Sequence, residues 1–148
     1  MNAAVVLSRL RRFLLAFSAL LLGGAVFELW LIDHMEDFVQ LVPFALCGAG
    51  LLAVLAVLIY PRRATVLGLR VCMGVVILGS LYGTYEHVIN NLAFQREVYP
   101  DAPVREVVTG TLGGANPLLA PGILAAAATL ALAAAYHHPA SRHGAKED

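Results

Sequence analysis

Residues 38–60 read FVQLVPFALCGAGLLAVLAVLIY, and none of them carries a charged side chain. A helix needs about 20 mostly apolar residues to cross the hydrocarbon core of a bilayer. The stretch therefore predicts a membrane-spanning helix. Pro61, Arg62 and Arg63 follow directly, and they predict the point at which this helix leaves the lipid.

Three further stretches of the chain are apolar enough to span a membrane, at about 13–32, 64–88 and 117–136. The composition agrees, because 59 % of the 148 residues are hydrophobic and only 14 % are charged. A soluble domain of this length needs more polar surface than that. We therefore predict an all-α fold in which residues 1–148 form a single transmembrane domain, a four-helix bundle.

The basic residues of the connecting segments predict the orientation of this bundle. Loop 33–37 contains no Lys or Arg, and loop 95–116 contains only two, whereas Arg residues flank the other helix ends. The positive-inside rule then places both termini, including the tail 137–148, in the cytoplasm and the two loops outside. The expected location is the bacterial inner membrane.

The first apolar stretch has a second interpretation. Residues 9–12 are rich in Arg, and the following FLLAFSALLL leads to Gly23, Gly24 and Ala25, as is typical of a signal peptide with a small-residue cleavage site. The apolar run continues to Ile32 and so reaches the length of a full span. We therefore expect a retained helix rather than a cleaved one.

The third loop is the largest segment outside the predicted spans. Asp101 and Pro103 are typical of a helix cap and first turn, and Gly110 is typical of a helix end. Between them, valines recur at helical spacing. This pattern predicts a short interfacial helix with its apolar side toward the bilayer. An irregular loop is the alternative.

The third span ends in the polar segment GTYEHVINN, residues 83–91. On a helical wheel, one face carries five residues of interest: Gly79, Tyr82, Gly83, Glu86 and Asn90. Glycines four residues apart allow two membrane helices to approach closely. We therefore predict that Gly79 and Gly83 lie at a helix contact and that Glu86 points into the bundle, with Tyr82 and Asn90 as secondary polar groups.

A similar pattern predicts the orientation of the carboxylate in the first span. Gly24 and Glu28 share one face of that helix, and Glu28 lies ~6 Å below Ile32 at its outer edge. Gly24 is accordingly predicted at a helix contact, with Glu28 pointing inward toward Glu86. An ionised group within a span costs at least about 2.5 kcal/mol unless it has a partner.

Four residues at the predicted outer ends are candidates for a ligand or metal site: Glu28, His34, Glu86 and His87. Histidine with carboxylates suits zinc, iron or copper. No ExxH or HxxxH spacing occurs, however, and adjacent helical residues such as Glu86 and His87 diverge by about 100°. We favour a hydrogen-bonded, interfacial role, with a metal or haem site and a small-ligand pocket as alternatives. No cofactor is predicted, and the identity of any metal is unknown.

Three strings of the sequence, FELWLIDHMEDFVQLVPF, YGTYEHVINNLAFQREVYP and GANPLLAPGIL, carry a resemblance. Together they resemble a class of small bacterial four-span proteins described as uncharacterised integral membrane proteins. The resemblance extends from about Glu28 to Pro139. It implies the fold and a bacterial membrane, and it implies no catalytic residues.

The function predicted from these patterns is that of a non-enzymatic accessory or structural subunit. There is no GxSxG, P-loop or HExxH motif, and a formal net charge of zero gives no field for nucleic acid. The expected partners are the lipid bilayer and either another protein, met by the acidic outer loops, or a second copy of the chain. The alternative is a small ligand- or metal-binding protein, either a transporter or a redox-complex subunit.

Overall fold

The computed structural model describes residues 2–33, 35 and 37–141, and these residues form helices and their connections without any strand. There are five α-helices and one short 3₁₀ turn: α1 (Ala3–Leu31), α2 (Phe38–Ile59), α3 (Arg63–Val98), α4 (Val104–Leu112), α5 (Leu119–Ala135) and the turn Pro139–Ser141. Helices α1, α2 and α3 are long and apolar enough to cross a membrane, and α5 is a shorter apolar helix of 17 residues. Within the described residues the prediction of an all-helical fold is confirmed, and three of the helices have the length and hydropathy of membrane spans.

Two of the helices extend beyond their predicted apolar spans. α1 begins at Ala3 because the side chain of Asn2 caps it, its Oδ1 accepting a hydrogen bond from the N–H of Ala4 at 3.1 Å. α3 continues to Val98 and ends just before Pro100, which disfavours helical backbone in the residue preceding it. Hydropathy therefore located the lipid-compatible part of each helix but not its ends.

The structure corrects both limits predicted for the short helix of the third loop. α4 has Pro103, not Asp101, at its N-cap, and it runs through Gly110 to Leu112. A Cβ at Gly110 would collide with the side chain of Gln95 in α3. Gly110 is therefore a contact residue that lets α4 approach α3, not a helix terminator.

The four longer helices contact one another in a ring. α1 packs against α2 and α5, and α3 packs against the same two helices, whereas the backbones of α1 and α3 lie opposite each other and do not approach closely. The face of α5 toward the ring is lined by small side chains that are fully or almost fully buried: Ala127, Ala128, Ala131, Ala134 and Ala135. Small residues let helices approach closely, which explains how an alanine-rich helix fills this position.

The outside of the ring is strongly apolar. Large side chains such as Phe13, Leu20, Leu52 and Leu78 are more than half exposed. A soluble monomer rarely exposes contiguous apolar surface on this scale. The arrangement suits a lipid environment, in agreement with the hydropathy of the long helices.

Candidate functional site

The predicted site lies at one end of the ring, which we call the outer end; it holds Leu31, Phe38 and Leu119. The opposite, inner end holds Ile59 and Ala135. The inward face of α3 leads from the inner end toward the outer one, and its buried residues are Val66, Leu69, Met73, Val76, Ser80 and Asn91. This face is displaced by one residue, about 100°, from the predicted one.

The residues predicted to face inward on α3 therefore have other positions. Tyr82 and Asn90 are exposed, and Glu86 is only half-buried. The hydroxyl of Tyr82 lies near enough to the carboxylate of Glu86, one turn away, to interact with it. Glu86 thus has a partner on its own helix, at the flank of α3 rather than inside the ring.

Ser80 and His87, which do lie on the buried side of α3, bind backbone carbonyls at the start of α5. The hydroxyl of Ser80 donates to the carbonyl of Pro121 at 2.6 Å, and Nδ1 of His87 lies 2.9 Å from the carbonyl of Pro117. A carbonyl only accepts, so Nδ1 of His87 carries the proton. Pro121 stands four residues after Pro117 and has no N–H to donate to its carbonyl, which accepts only a long bond, 3.3 Å, from the N–H of Ala120 besides that of His87.

Asn91 is the most highly connected polar residue of this region. It is 2 % exposed, and its Nδ2 donates to the carbonyls of Thr111 and Asn116 at 3.0 and 2.9 Å. Its Oδ1 accepts from the backbone N–H and the Nδ2 of Asn116 at 3.0 and 3.2 Å. A Cβ at Gly114 would lie 2.5 Å from Cγ of Asn91, so glycine is needed for the chain to pass so close.

Ser80, His87 and Asn91 together form what we call the loop clamp. The three side chains bind backbone groups between residues 111 and 121 and so fasten the connection from α4 to α5 onto α3. The sequence held a signal for the clamp, because the apolar spacing that ends at Val76 continues through all three residues. We assumed that Gly79 and Gly83 lie at the centre of the buried face, and we therefore predicted the neighbouring face of α3.

Glu28 occupies a position different from the one predicted. Its side chain is exposed on the surface of α1, and it has no hydrogen bond or ion pair to any described residue. Because Glu28 points away from the ring, the expectation that Glu28 and Glu86 face each other across it is wrong. His34 lies outside the described residues.

The three glycines predicted at helix contacts differ from one another. A Cβ at Gly79 would meet Leu46 of α2, and one at Gly83 would lie 3.5 Å from Pro121 of α5. At Gly24 no such atom lies within 4 Å of the position that a Cβ would take. Gly24 therefore stands at the surface of α1, one turn below Glu28, and not at a contact with another described part of the chain.

No three His, Cys, Asp or Glu side chains come together as a metal site within the described parts of the chain. Any role of Glu28, Glu86 or His87 in binding a ligand stays a prediction. Cys47 and Cys72 are both free thiols, and the former is fully buried. What the site does chemically is to satisfy backbone carbonyls and one backbone N–H in a region of low polarity.

Comparison with known proteins adds no relative from which roles can be transferred. A scan against protein-family models, a search of curated proteins and a search of solved structures found no match to the chain.

Proposed function

We propose that the protein is a multi-pass protein of the bacterial inner membrane with four spans, α5 being the fourth, and with both termini in the cytoplasm. α5 supports this, because its buried face packs between α1 and α3 along the ring. Its 17 residues extend ~25 Å, close to the ~30 Å of a hydrocarbon core. The surplus of Arg at the inner end supports the orientation.

In this arrangement α4 is the interfacial helix of the third loop. Val107 and Thr111 face toward α3 and are partly or fully buried. Val104 and Leu112, on the adjoining face, are 80 % and 61 % exposed. An apolar stripe of this kind on a short surface helix is suited to the boundary between headgroups and acyl chains.

The molecular role that we propose is that of a non-enzymatic accessory subunit of a membrane complex. The clamp residues at the outer end bind backbone groups and so give the connection from α4 to α5 a fixed shape. Such a fixed surface is suited to protein contact. The single observation that carries the proposal is the exposed position of Glu28 on the outer surface of α1, away from the other helices of the ring.

A carboxylate at this depth needs a partner, and none of the described residues supplies one. Glu28 is flanked by exposed apolar side chains, including Phe27 and Leu31, and lies about one turn inside the end of α1. Placing an ionisable group in such surroundings costs at least about 2.5 kcal/mol without compensation. Gly24 leaves room one turn below it for the backbone of another helix. The partner is thus a membrane helix that presents a hydrogen-bond donor or a cation to Glu28.

Photo-crosslinking in native membranes tests this role. A photoreactive amino acid at position 24 or 31 of α1 is expected to give one and the same adduct, whereas the probe at Leu78 of α3 is expected to give none. Leu78 is a matched control because it is 68 % exposed on the opposite helix of the ring. An adduct of twice 15.7 kDa identifies the partner as a second copy of the chain.

A charge substitution then assigns the contact to the carboxylate. Glu28→Leu is expected to abolish the adduct at position 31 without lowering the thermal stability of the purified chain, because no described residue of the chain binds this carboxylate. Glu97→Leu, which removes an exposed acid from the outer end of α3, is expected to leave the adduct unchanged. Equal labelling from positions 24 and 78, or an adduct that survives Glu28→Leu, contradicts the proposal.

A further inference from the structure

The inner end of the ring holds the backbone carbonyls that follow the last turn of α5. The last four carbonyls of a helix have no partners within it. Here Nη2 of Arg70, from α3, donates to the carbonyl of Ala135 at 2.7 Å. Nη2 of Arg11, from α1, donates to the carbonyls of Tyr136 and His137 at 3.3 and 3.1 Å. Two arginines from opposite helices of the ring thus bind the same C-terminal end of α5.

The positive charge of these arginines is not neutralised by the described part of the chain. Their acceptors are amide carbonyls, which take hydrogen bonds but carry no net charge. The described acidic residues all belong to the outer half: Glu28, Asp33, Asp37, Glu86, Glu97, Asp101 and Glu106. Nε of Arg11 is buried without a hydrogen-bond partner among the described residues.

His138 lies within the positive electrostatic field of Arg11 and Arg70. Its imidazole is half-buried just after α5, and its pKa is lowered from the ordinary value of 6.5, first by burial and then by the charges of Arg11 and Arg70. Two guanidinium groups without a counter-charge disfavour the protonated, positively charged form of His138. The inner end therefore has an excess of positive charge that is concentrated around residues 135–138.

A groove beside these residues has both polar and apolar walls. It measures about 500 Å³ and is lined by Arg70, Leu132, Tyr136, His137 and Ser141. Leu132 lies on α5 below the level of the arginine's acceptor, so the apolar wall is on the side toward the middle of the ring. Such a groove combines a cation with an apolar path at the end of a spanning helix.

We propose that this groove binds one anionic phospholipid, with the phosphate at Arg70 and an acyl chain along Leu132. A guanidinium has five donors in a planar fork, and the carbonyl of Ala135 takes up only part of them. Charged phosphate oxygens are stronger acceptors than amide carbonyls and supply the missing negative charge. Basic pockets between spanning helices on the cytoplasmic side are suited to anionic headgroups. The proposal rests on the chain spanning a membrane, but it does not depend on the accessory role.

Native mass spectrometry of the full chain, released from mixed micelles of phosphatidylglycerol and phosphatidylcholine, tests the proposal. One phosphatidylglycerol per chain is expected to be retained about fivefold over phosphatidylcholine, the ratio that corresponds to one basic contact. Arg70→Gln is expected to remove the preference, while Arg63→Gln, an exposed arginine of the same helix, is expected to keep it. Soluble glycerol phosphate at millimolar concentration is expected not to displace the lipid.

A second variant pair keeps the test decisive if Arg70→Gln does not fold. Ser141→Glu places a negative charge in the groove lining without touching either arginine and is expected to abolish the preference. Ser141→Gln has the same size without the charge and is expected to retain it. Equal retention of both lipids by the unmodified chain overturns the proposal, as does a preference that Ser141→Glu leaves intact. Displacement by soluble glycerol phosphate also overturns it, because the ligand is then a phosphate and not a lipid.

Discussion

Side chains of other helices donate hydrogen bonds to backbone carbonyls at both ends of α5, but the donors are neutral at one end and charged at the other. At the outer end the hydroxyl of Ser80, on α3, donates to the carbonyl of Pro121 in the first turn of α5. The imidazole of His87, also on α3, donates to the carbonyl of Pro117 just before α5. At the inner end the carbonyls that close the helix accept from the guanidinium groups of Arg70 and Arg11. Backbone groups in a low-dielectric region must be paired at both ends, because each unpaired group costs several kcal/mol.

In the proposed orientation, the difference matches the residues that each membrane face tolerates. Arginine is favoured at the cytoplasmic end, where it also sets the orientation of the chain. At the outer end, the neutral side chains of Ser80 and Asn91 satisfy the backbone without adding positive charge. At the outer end the hydrogen bonds fix the conformation of the connection from α4 to α5, and at the inner end the arginines add positive charge. We therefore assign a protein contact to the outer end and a lipid contact to the inner end.

The largest effect is expected for the outer end, from Asn91→Ala. The change leaves the carbonyls of Thr111 and Asn116 and the N–H of Asn116 without their partner in a buried place. The free energy of unfolding, measured by titration with SDS in mixed micelles, is expected to fall by about 2–4 kcal/mol. Asn90→Ala, at the exposed neighbour, is expected to change it by less than about 0.5 kcal/mol. Equal losses in the two variants would show that the loop clamp is not formed.

At the inner end a smaller loss is expected from Arg70→Ala. One charged hydrogen bond to the carbonyl of Ala135 is removed, which costs about 1.5–3 kcal/mol of unfolding free energy in the same titration. Arg63→Ala removes an equal charge from an exposed position of α3 and is the matched control. If both variants lose the same amount, the arginine acts through the general positive field and not as a cap of α5.

The smallest effect is expected from pH, through His138. Since the pKa of His138 is lowered from 6.5 in the folded protein, the unfolded chain binds more protons below that pH. Stability is therefore expected to be full above about pH 6.5 and to decrease as the pH falls from 6.5 through the folded pKa. Protonation also opposes the hydrogen bond that Nδ1 accepts from the N–H of Ala140 at 3.2 Å.

The variant His138→Gln isolates this contribution. The thermal midpoint of the unmodified chain is expected to fall on acidification from pH 7.5 to 5.5, and the variant is expected to show a shallower fall over the same range. Identical slopes in the two proteins would place the titrating group elsewhere.

Hydropathy was sufficient to predict the helical class and the position of the long helices, and for α2 it predicted both ends to within one residue. It did not predict the polar contacts, because the one-residue choice between the Gly79 face and the Ser80 face depends on what the neighbouring helices present. Glu28 shows the same limit. A small residue one turn away marks helix contact, but the sequence does not state whether that contact lies within the chain or beyond it.

The central claim is that α5 crosses the membrane, so that its two ends meet opposite faces. Cysteine accessibility in intact cells tests it, with Cys47 and Cys72 first replaced by alanine. A membrane-impermeant maleimide is expected to label Ala115→Cys, at the exposed outer connection, without permeabilisation. It is expected to label Ser141→Cys, after the inner end of α5, only once the membrane is permeabilised. Labelling of both positions from the same side would contradict the account.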